Sequence, residues 1–298
     1  MAWRTVVISN PAKLKIENDQ LVITQEESVC LSLEDIAVLM LESPEVILSS
    51  ALLNRLAELD VTLLACDKRH LPSMAGLPFA GHSRLAGMQR MQLETGVPFR
   101  KRCWQVVIKQ KIANQAKCLE LQGKPGSKKI ALLSERVTSG DSTNVESSAA
   151  REYFQRAFGK NFVRGDMDGK NSALDYGYAI MRGAVARSLA IHGFLLTQGI
   201  HHRSELNQFN LADDFIEPLR PLVDLCVAEI GAIDELTKAH REKLVSLLHA
   251  DVLIDGNRQQ ALRAAEIMAG SFQSACSAKD SRLLKLPELI PITMHDYE

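Results

Sequence analysis

The residues best suited to chemistry lie between positions 199 and 224, where His201, His202, Asp213, Asp214, Glu217, Arg220 and Asp224 crowd a segment flanked by long apolar patterns. Read as a helix over 211–230, this stretch sets Asp214 and Glu217 at i and i+3 on one face, with Arg220 one turn further along. Carboxylates beside imidazole form part of a divalent-metal ligand set. A set of two carboxylates and one imidazole leaves positions for water and phosphate oxygens, which suits Mg2+ or Mn2+ better than zinc. Such an ion polarises a phosphodiester and lowers the pKa of an attacking hydroxyl, so phosphoryl transfer between nucleic-acid strands is the matching reaction class. A third carboxylate must then arrive from elsewhere in the fold. The structural alternative is that Asp213 and Asp214 complement a helix dipole while Glu217 pairs with Arg220 or Arg203 on a solvated surface. Pro218 and Pro221 lack the N–H groups that would bond the carbonyls of Asp214 and Glu217, so the helix is expected to bend or loosen there.

A second candidate lies upstream in Asp141-Ser142-Thr143-Asn144-Val145-Glu146, which opens a helical pattern closing at Gly159. Thr143-x-x-Glu146 fits a capping box, in which Glu146 would bond back to a backbone N–H; the residue pattern alone leaves that role open beside a metal role. The stretch Asp166-Met167-Asp168-Gly169 lacks the glycine spacing of a calcium loop and reads as a turn. Neither a G-x-x-x-x-G-K-[ST] loop nor a Rossmann glycine pattern occurs, which argues against nucleotide-triphosphate chemistry.

The elements that must position these residues divide into two kinds. Short β patterns run over 5–9, 12–16, 21–24, 29–33 and 36–41, with a hairpin turn at Glu17-Asn18-Asp19; a helix capped by Ser49 and a strand over 61–66 follow. Residues 67–87 carry recurrent glycine and proline and read as a linker. Beyond it the pattern is helical. Trp104, Ile108, Ile112, Ala116 and Leu119 form one stripe, with Arg102 and Lys109, seven apart, on a different face that can meet phosphate. A shorter helix is expected around 130–137, a long one from Ser172 toward Gly199, and further helices over 234–248 and 257–276. The fold class is therefore α+β: a small β-rich domain over 1–76, then a larger all-α domain over 77–298.

Composition sets the outer limits. Of 298 residues, 46% are hydrophobic and 24% charged, as in a soluble globular chain rather than a fibrous or disordered one. No apolar run is long enough to span a bilayer and the first residues lack a signal-peptide core, so a cytoplasmic protein with no membrane partner is expected. Six scattered cysteines read as buried reduced thiols. Net charge is only −1, but residues 90–129 hold ten Lys or Arg against two Glu, while residues 1–76 hold six basic against eleven acidic residues. That asymmetry assigns nucleic acid to the first block and protein association to the second.

The run from Gly199 to Asp224, the segment Asn144-Val145-Glu146-Ser147-Ser148-Ala149-Ala150-Arg151-Glu152-Tyr153-Phe154, and the N-terminal Trp3-Arg4-Thr5-Val6-Val7-Ile8-Ser9-Asn10-Pro11 closely resemble the integrase of CRISPR adaptation, the first of the universal CRISPR-associated proteins, in its type II form. The resemblance implies metal ligands at Glu146, His202 and Glu217, with Asp214 in support and His201 only a neighbour. It implies a divalent ion as sole cofactor, either Mg2+ or Mn2+. It implies attack by the 3′-hydroxyl of a captured DNA fragment on a phosphodiester at the end of a CRISPR repeat. Arg102, Lys109 and Arg220 are the DNA-contacting candidates. The implied partners are double-stranded DNA, a second copy in a homodimer, and the small second adaptation protein, whose dimer bridges two such homodimers into a heterohexamer. The alternatives are a metal-dependent endonuclease, or a non-catalytic DNA- or RNA-binding scaffold.

Overall fold

The computed structural model describes residues 4–68, 70–76 and 84–293, and separates into one unit through Leu85 and a second from Ala86. In the first unit the chain forms β1 (Arg4–Ile8), β2 (Ala12–Glu17), β3 (Gln20–Thr24), β4 (Ser28–Ser32), β5 (Ile36–Leu41), β6 (Val46–Leu48), α1 (Ser50–Glu58), β7 (Thr62–Cys66) and β8 (Pro72–Gly76). Asn18 and Asp19 both take the left-handed conformation, which twists the β2–β3 turn to suit an antiparallel pair. The strands make two sheets, ordered β1-β5-β7-β8 and β4-β3-β2-β6. Strand β5 is apolar along its length and wholly buried, as a central parallel strand requires. Leu14, Leu21, Leu33, Ile36, Leu39 and Leu52 centre the core. The Ser49 hydroxyl accepts from the Leu52 N–H and caps α1, as its position indicates.

The expected linker over 67–87 is only partly a linker. Residues 72–76 form β8 and pair antiparallel with β7, extending the first sheet; 77–83 lie outside the described residues. The cysteines also divide: Cys103, Cys118, Cys226 and Cys276 are buried thiols, whereas Cys30 is exposed on the edge strand β4 and Cys66 is intermediate at the end of β7.

The second unit is built from α2 (Leu85–Leu93), α3 (Val97–Leu121), α4 (Ser127–Glu135), α5 (Val145–Phe158), α6 (Gly169–Ile191), α7 (Asn210–Phe215), α8 (Arg220–Ile230), α9 (Lys238–Ser246), β9 (Asp251–Ile254), β10 (Asn257–Gln260) and α10 (Ala261–Ala278). The long α3 is its axis, packing against α4, α5 and α8 and burying Trp104, Ile108, Ile112 and Leu119. Two expectations need correction. The helix placed over 257–276 begins as a strand: β9 and β10 form a hairpin around Asp255-Gly256, both with positive φ, and α10 starts only at Ala261. The long helix α6 starts at Gly169 rather than Ser172, because the Asp168 carboxylate accepts from the Asn171 N–H and caps it, and it ends at Ile191. Among the described residues no helix is long and apolar enough to cross a membrane.

Candidate metal and nucleic-acid site

The helix expected over 211–230 breaks where the prolines require. It ends at Phe215, passes through a 3-10 turn at Glu217–Leu219, and restarts at Arg220. Asp214 and Glu217 therefore do not form a matched pair on one face. Asp214 turns toward the preceding loop and Glu217 toward α3, so each carboxylate has its own environment.

Asp214 is fully buried. Its Oδ2 accepts from the Ile200 N–H at 2.6 Å and the His201 N–H at 3.1 Å, and its Oδ1 accepts from the His202 N–H at 3.1 Å. The His202 ring adds Nδ1 at 2.7 Å from Oδ1. Because an ionised carboxylate only accepts, the proton sits on Nδ1 and leaves Nε2 as the lone-pair nitrogen of the neutral ring. The hydrogen bond from His202 to Asp214 pushes the His202 pKa upward more than burial pulls it down. Close approach of the loop depends on Gly199, where a Cβ would lie 2.4 Å from the His202 carbonyl and 2.7 Å from Asp214 Oδ2. Asp214 thus orients one imidazole and ties down the three backbone groups that carry it. His201 stands beside it as a neighbour, stacked on Trp104 with ring centroids 4.1 Å apart.

Glu146 sits in the first turn of α5, but not as a cap. The Asp141 carboxylate takes that role, accepting from the Val145 and Glu146 N–H groups at 3.0 Å each. The capping-box reading of Thr143 and Glu146 is overturned, and the Glu146 side chain is released for other work. Asn144, the residue before the helix, has φ 52° and ψ 45°, a left-handed conformation that Asn tolerates better than most residues. That turn aims Glu146 inward at α3.

There Glu146 and Glu217 meet across one lysine that the sequence pattern groups with the basic phosphate contacts. Lys111 Nζ donates to Glu146 Oε1 at 2.6 Å and stands 2.5 Å from Glu217 Oε2. Lys111 is 9% exposed and Glu217 4%. On its other side Glu217 Oε1 accepts from Arg220 Nε at 2.9 Å, and the Arg220 guanidinium lies 4.5 Å from the Tyr178 ring centroid. Arg220, a DNA-contact candidate, is thus engaged within the site. The surface ion pair envisaged between Glu217 and Arg220 exists, but buried. Burial works against the Glu217 charge, yet Lys111 and Arg220 outweigh it and bring its pKa down to about 2. Burial likewise opposes the Lys111 charge, and Glu217 and Glu146 more than offset it.

Do these residues suit a divalent ion? Among the described residues no three His, Cys, Asp or Glu already form a cation shell. What the site offers is two carboxylates converging on one cation, with Glu217 Oε2 buried against the Lys111 ammonium. His202 Nε2 points away from its carboxylate partner, within electrostatic reach of Glu217. This hard oxygen-and-nitrogen set fits Mg2+ or Mn2+. Beside His202 opens a polar cleft of about 540 Å³, lined by Arg100, Arg203, Ser204 and Asn207 among others.

A buried network backs the site from behind. Asp224 accepts from the hydroxyls of Tyr153, at 2.9 Å, and Tyr178. Burial pushes the Asp224 pKa up to about 6, against the pull of both hydroxyls. A folded-state pKa raised from 3.8 means the stability Asp224 contributes is fully present below pH 3.8 and lost as pH rises through about 6. The melting-temperature advantage of wild type over Asp224→Asn should therefore shrink between about pH 4 and pH 6 and level off above that, and a constant difference would count against a titrating Asp224.

Arg102 is exposed and Lys109 half-buried on α3, outside the ion-paired cluster. Of the basic block, Lys111 is consumed by the two carboxylates, Lys117 pairs with Glu120 and Lys129 with Glu152. The surface charge available to phosphate is accordingly weaker than the count suggests.

Fold and site together define a class: a two-unit α+β chain whose helical unit gathers two carboxylates and an oriented histidine from separate elements. The chain belongs to the Cas1 family. The family model described as CRISPR associated protein Cas1 matches residues 5–266. A CRISPR-associated endonuclease Cas1 from Neisseria meningitidis serogroup C is 42% identical over 304 aligned positions, covering both chains in full. Similar solved structures include a casposase bound to integration product (TM-score 0.75, 17% identity, 94% of this chain and 92% of that one) and a CAS1 protein from Thermotoga maritima (TM-score 0.74, 12% identity, 99% and 100%). A Cas6-RT-Cas1--Cas2 complex matches with TM-score 0.72 and 19% identity, over 94% of this chain and 36% of that one.

Proposed function

We propose that this protein is a metal-dependent DNA integrase of CRISPR adaptation, which joins a captured DNA fragment to the CRISPR repeat by transesterification. The observation that carries this reading is the convergence of Glu146 from α5 and Glu217 from the turn before α8 on one cationic point in the helical unit. In the reaction a fragment's 3′-oxygen forms a new bond to a repeat phosphorus, the old P–O bond breaks, and the proton of the attacking hydroxyl ends on the released 3′-oxygen. A divalent ion held by Glu146, Glu217 and His202 Nε2 would supply the Lewis acidity that polarises the phosphodiester and acidifies the hydroxyl. Asp214 fixes His202, and Arg220 keeps Glu217 ionised and in place. Because one P–O bond is exchanged for another, the reaction needs no nucleotide triphosphate.

Supercoiled plasmid bearing a repeat, a short DNA duplex, the small second adaptation protein and Mn2+ should together yield joined product. The relative from Neisseria meningitidis is named an endonuclease, and the same site with water as nucleophile is the second reading. Cleaved but unjoined plasmid would favour it.

DNA is proposed to meet the helical unit through phosphate contacts from the basic stretch around Arg102 and Lys109 and through the cleft beside His202. Changing both Arg102 and Lys109 to Ala should flatten the slope of log affinity against log salt by about one unit for each phosphate-binding side chain removed. An unchanged slope would place the DNA elsewhere. Association is proposed for the acidic first unit, whose outer strands β4 and β8 each present exposed residues. It would give a homodimer, and two homodimers bridged by the small partner a heterohexamer; the likeness to a solved Cas6-RT-Cas1--Cas2 complex supports a Cas2 partner. Charge reversal on this unit should dissociate the dimer in light scattering, whereas a variant still dimeric but defective in DNA binding would refute that assignment.

A further inference from the structure

Lys111 occupies an unusual place for a lysine: its stem is on the buried face of α3, and among the described residues its ammonium is the one paired with both Glu146 and Glu217. Nζ lies within 2.6 Å of one oxygen of each carboxylate, which is where a cation bridging them must stand. With Arg220 on the far side of Glu217, the four ion-paired side chains balance two negative charges with two positive ones, and Asp213 and Asp214 are the next acids out. A dication added beside Lys111 with nothing moved would leave a net positive charge around two carboxylates in a mostly buried site, where water screens little. Nζ also stands between those two oxygens, so an ion bridging the same pair has to push it aside.

Building on the proposed metal role of Glu146 and Glu217, we infer that Lys111 is a tethered counter-ion of the metal-free protein, which the divalent ion displaces from the two carboxylates when it binds. Lys111 does two jobs in that arrangement. It keeps a pair of converging, largely buried carboxylates from repelling each other before metal arrives, so the site is assembled rather than spread apart. It also sets a threshold on metal affinity, because part of the ion's binding free energy goes into breaking the existing pairs. Once moved off the carboxylates, the ammonium remains beside the site on its own stem, a fixed positive charge suited to an incoming phosphate.

The test uses the full-length protein and Mn2+ as probe, with free Mn2+ followed by electron paramagnetic resonance and stability by thermal melting. Wild type, Lys111→Met and Lys111→Gln are compared, with Glu146→Gln as the control for the metal site. Removing the competing cation should tighten Mn2+ binding about tenfold or more, within the usual range of coupling between sites. It should also lower the metal-free melting temperature, and saturating Mn2+ should raise the variants by more degrees than it raises wild type. A lysine with a merely structural role predicts the reverse, equal or weaker Mn2+ binding and a melting loss that Mn2+ does not restore, and that result overturns the inference. Absence of any Mn2+ binding that depends on Glu146 in wild type overturns the inference together with the metal reading beneath it. Should neither lysine variant fold, amine acetylation of wild-type Lys111, read by mass spectrometry, decides instead: reactivity must rise when Mn2+ is added, and an unchanged rate refutes displacement.

Discussion

Glu146→Ala is expected to abolish strand joining while leaving DNA affinity within about twofold of wild type, since carboxylates near DNA contribute no attraction to phosphate. An ion that activates the attacking hydroxyl and stabilises developing charge supplies several kcal/mol of transition-state stabilisation, so removing one of its two carboxylates should slow joining by about 10³-fold or more. The fold should tolerate the change far better. Helix α5 keeps its cap, because Asp141 and not Glu146 satisfies the first N–H groups, and Lys111 keeps Glu217 as a partner. Glu146→Gln sharpens the test, for it preserves shape and an acceptor for Lys111 while deleting only the charge. Both variants should be equally inactive in joining and should melt within a few degrees of wild type. Normal joining by either would remove Glu146 from the site, and the proposed metal centre would fall with it.

How much of this arrangement is legible in the sequence? The first unit is readable because its strands alternate in hydropathy around a left-handed turn at Asn18 and Asp19, and only local patterns are needed. The β9–β10 hairpin escapes because Asn257-Arg258-Gln259-Gln260 carries no apolar alternation, although Asp255-Gly256 is a strong hairpin signal by itself. Asp214 and Glu217 are marked by their spacing, yet the spacing implies the wrong relation between them; the two prolines redirect one carboxylate to the loop and the other to α3. Glu146 and His202 are picked out by family resemblance, since residue patterns leave Glu146 open to capping as well. Lys111 is hidden because it lies within a run of basic residues and counts as one of them. A signal does exist: Trp104, Ile108, Lys111 and Gln115 follow the 3- and 4-residue steps of one helix face, so a lysine there is on the buried side and needs a carboxylate partner. Which carboxylates those are is a tertiary fact, set by how α5 and the turn before α8 pack on α3, and no local pattern carries it.

Replacing Asp214 should produce a different failure, one of stability and chemistry together. Its carboxylate is the acceptor for three backbone N–H groups and one ring N–H, all within 3.1 Å, and it is entirely out of water. Asp214→Ala leaves those backbone donors unpaired in a buried site, and with about 1–3 kcal/mol lost per stranded donor the total should reach roughly 4 kcal/mol. For a chain of this size that corresponds to a fall in melting temperature of roughly 10 °C. His202 meanwhile loses the partner that holds its proton on Nδ1 and its Nε2 outward, which should weaken Mn2+ binding by about 10- to 100-fold. The comparison with His202→Ala separates the two consequences. Truncating the half-exposed ring removes the nitrogen ligand but leaves all three backbone hydrogen bonds to Asp214 in place, so joining should be lost with little change in melting temperature. Asp214→Asn should fall between them, because its amide NH2 faces backbone donors it cannot accept from. If Asp214→Ala instead melted like wild type while His202→Ala unfolded, the loop would be hanging on the ring and not on the carboxylate. The order of support, from Asp214 to the backbone of 200–202 to the imidazole, would then have to be reversed.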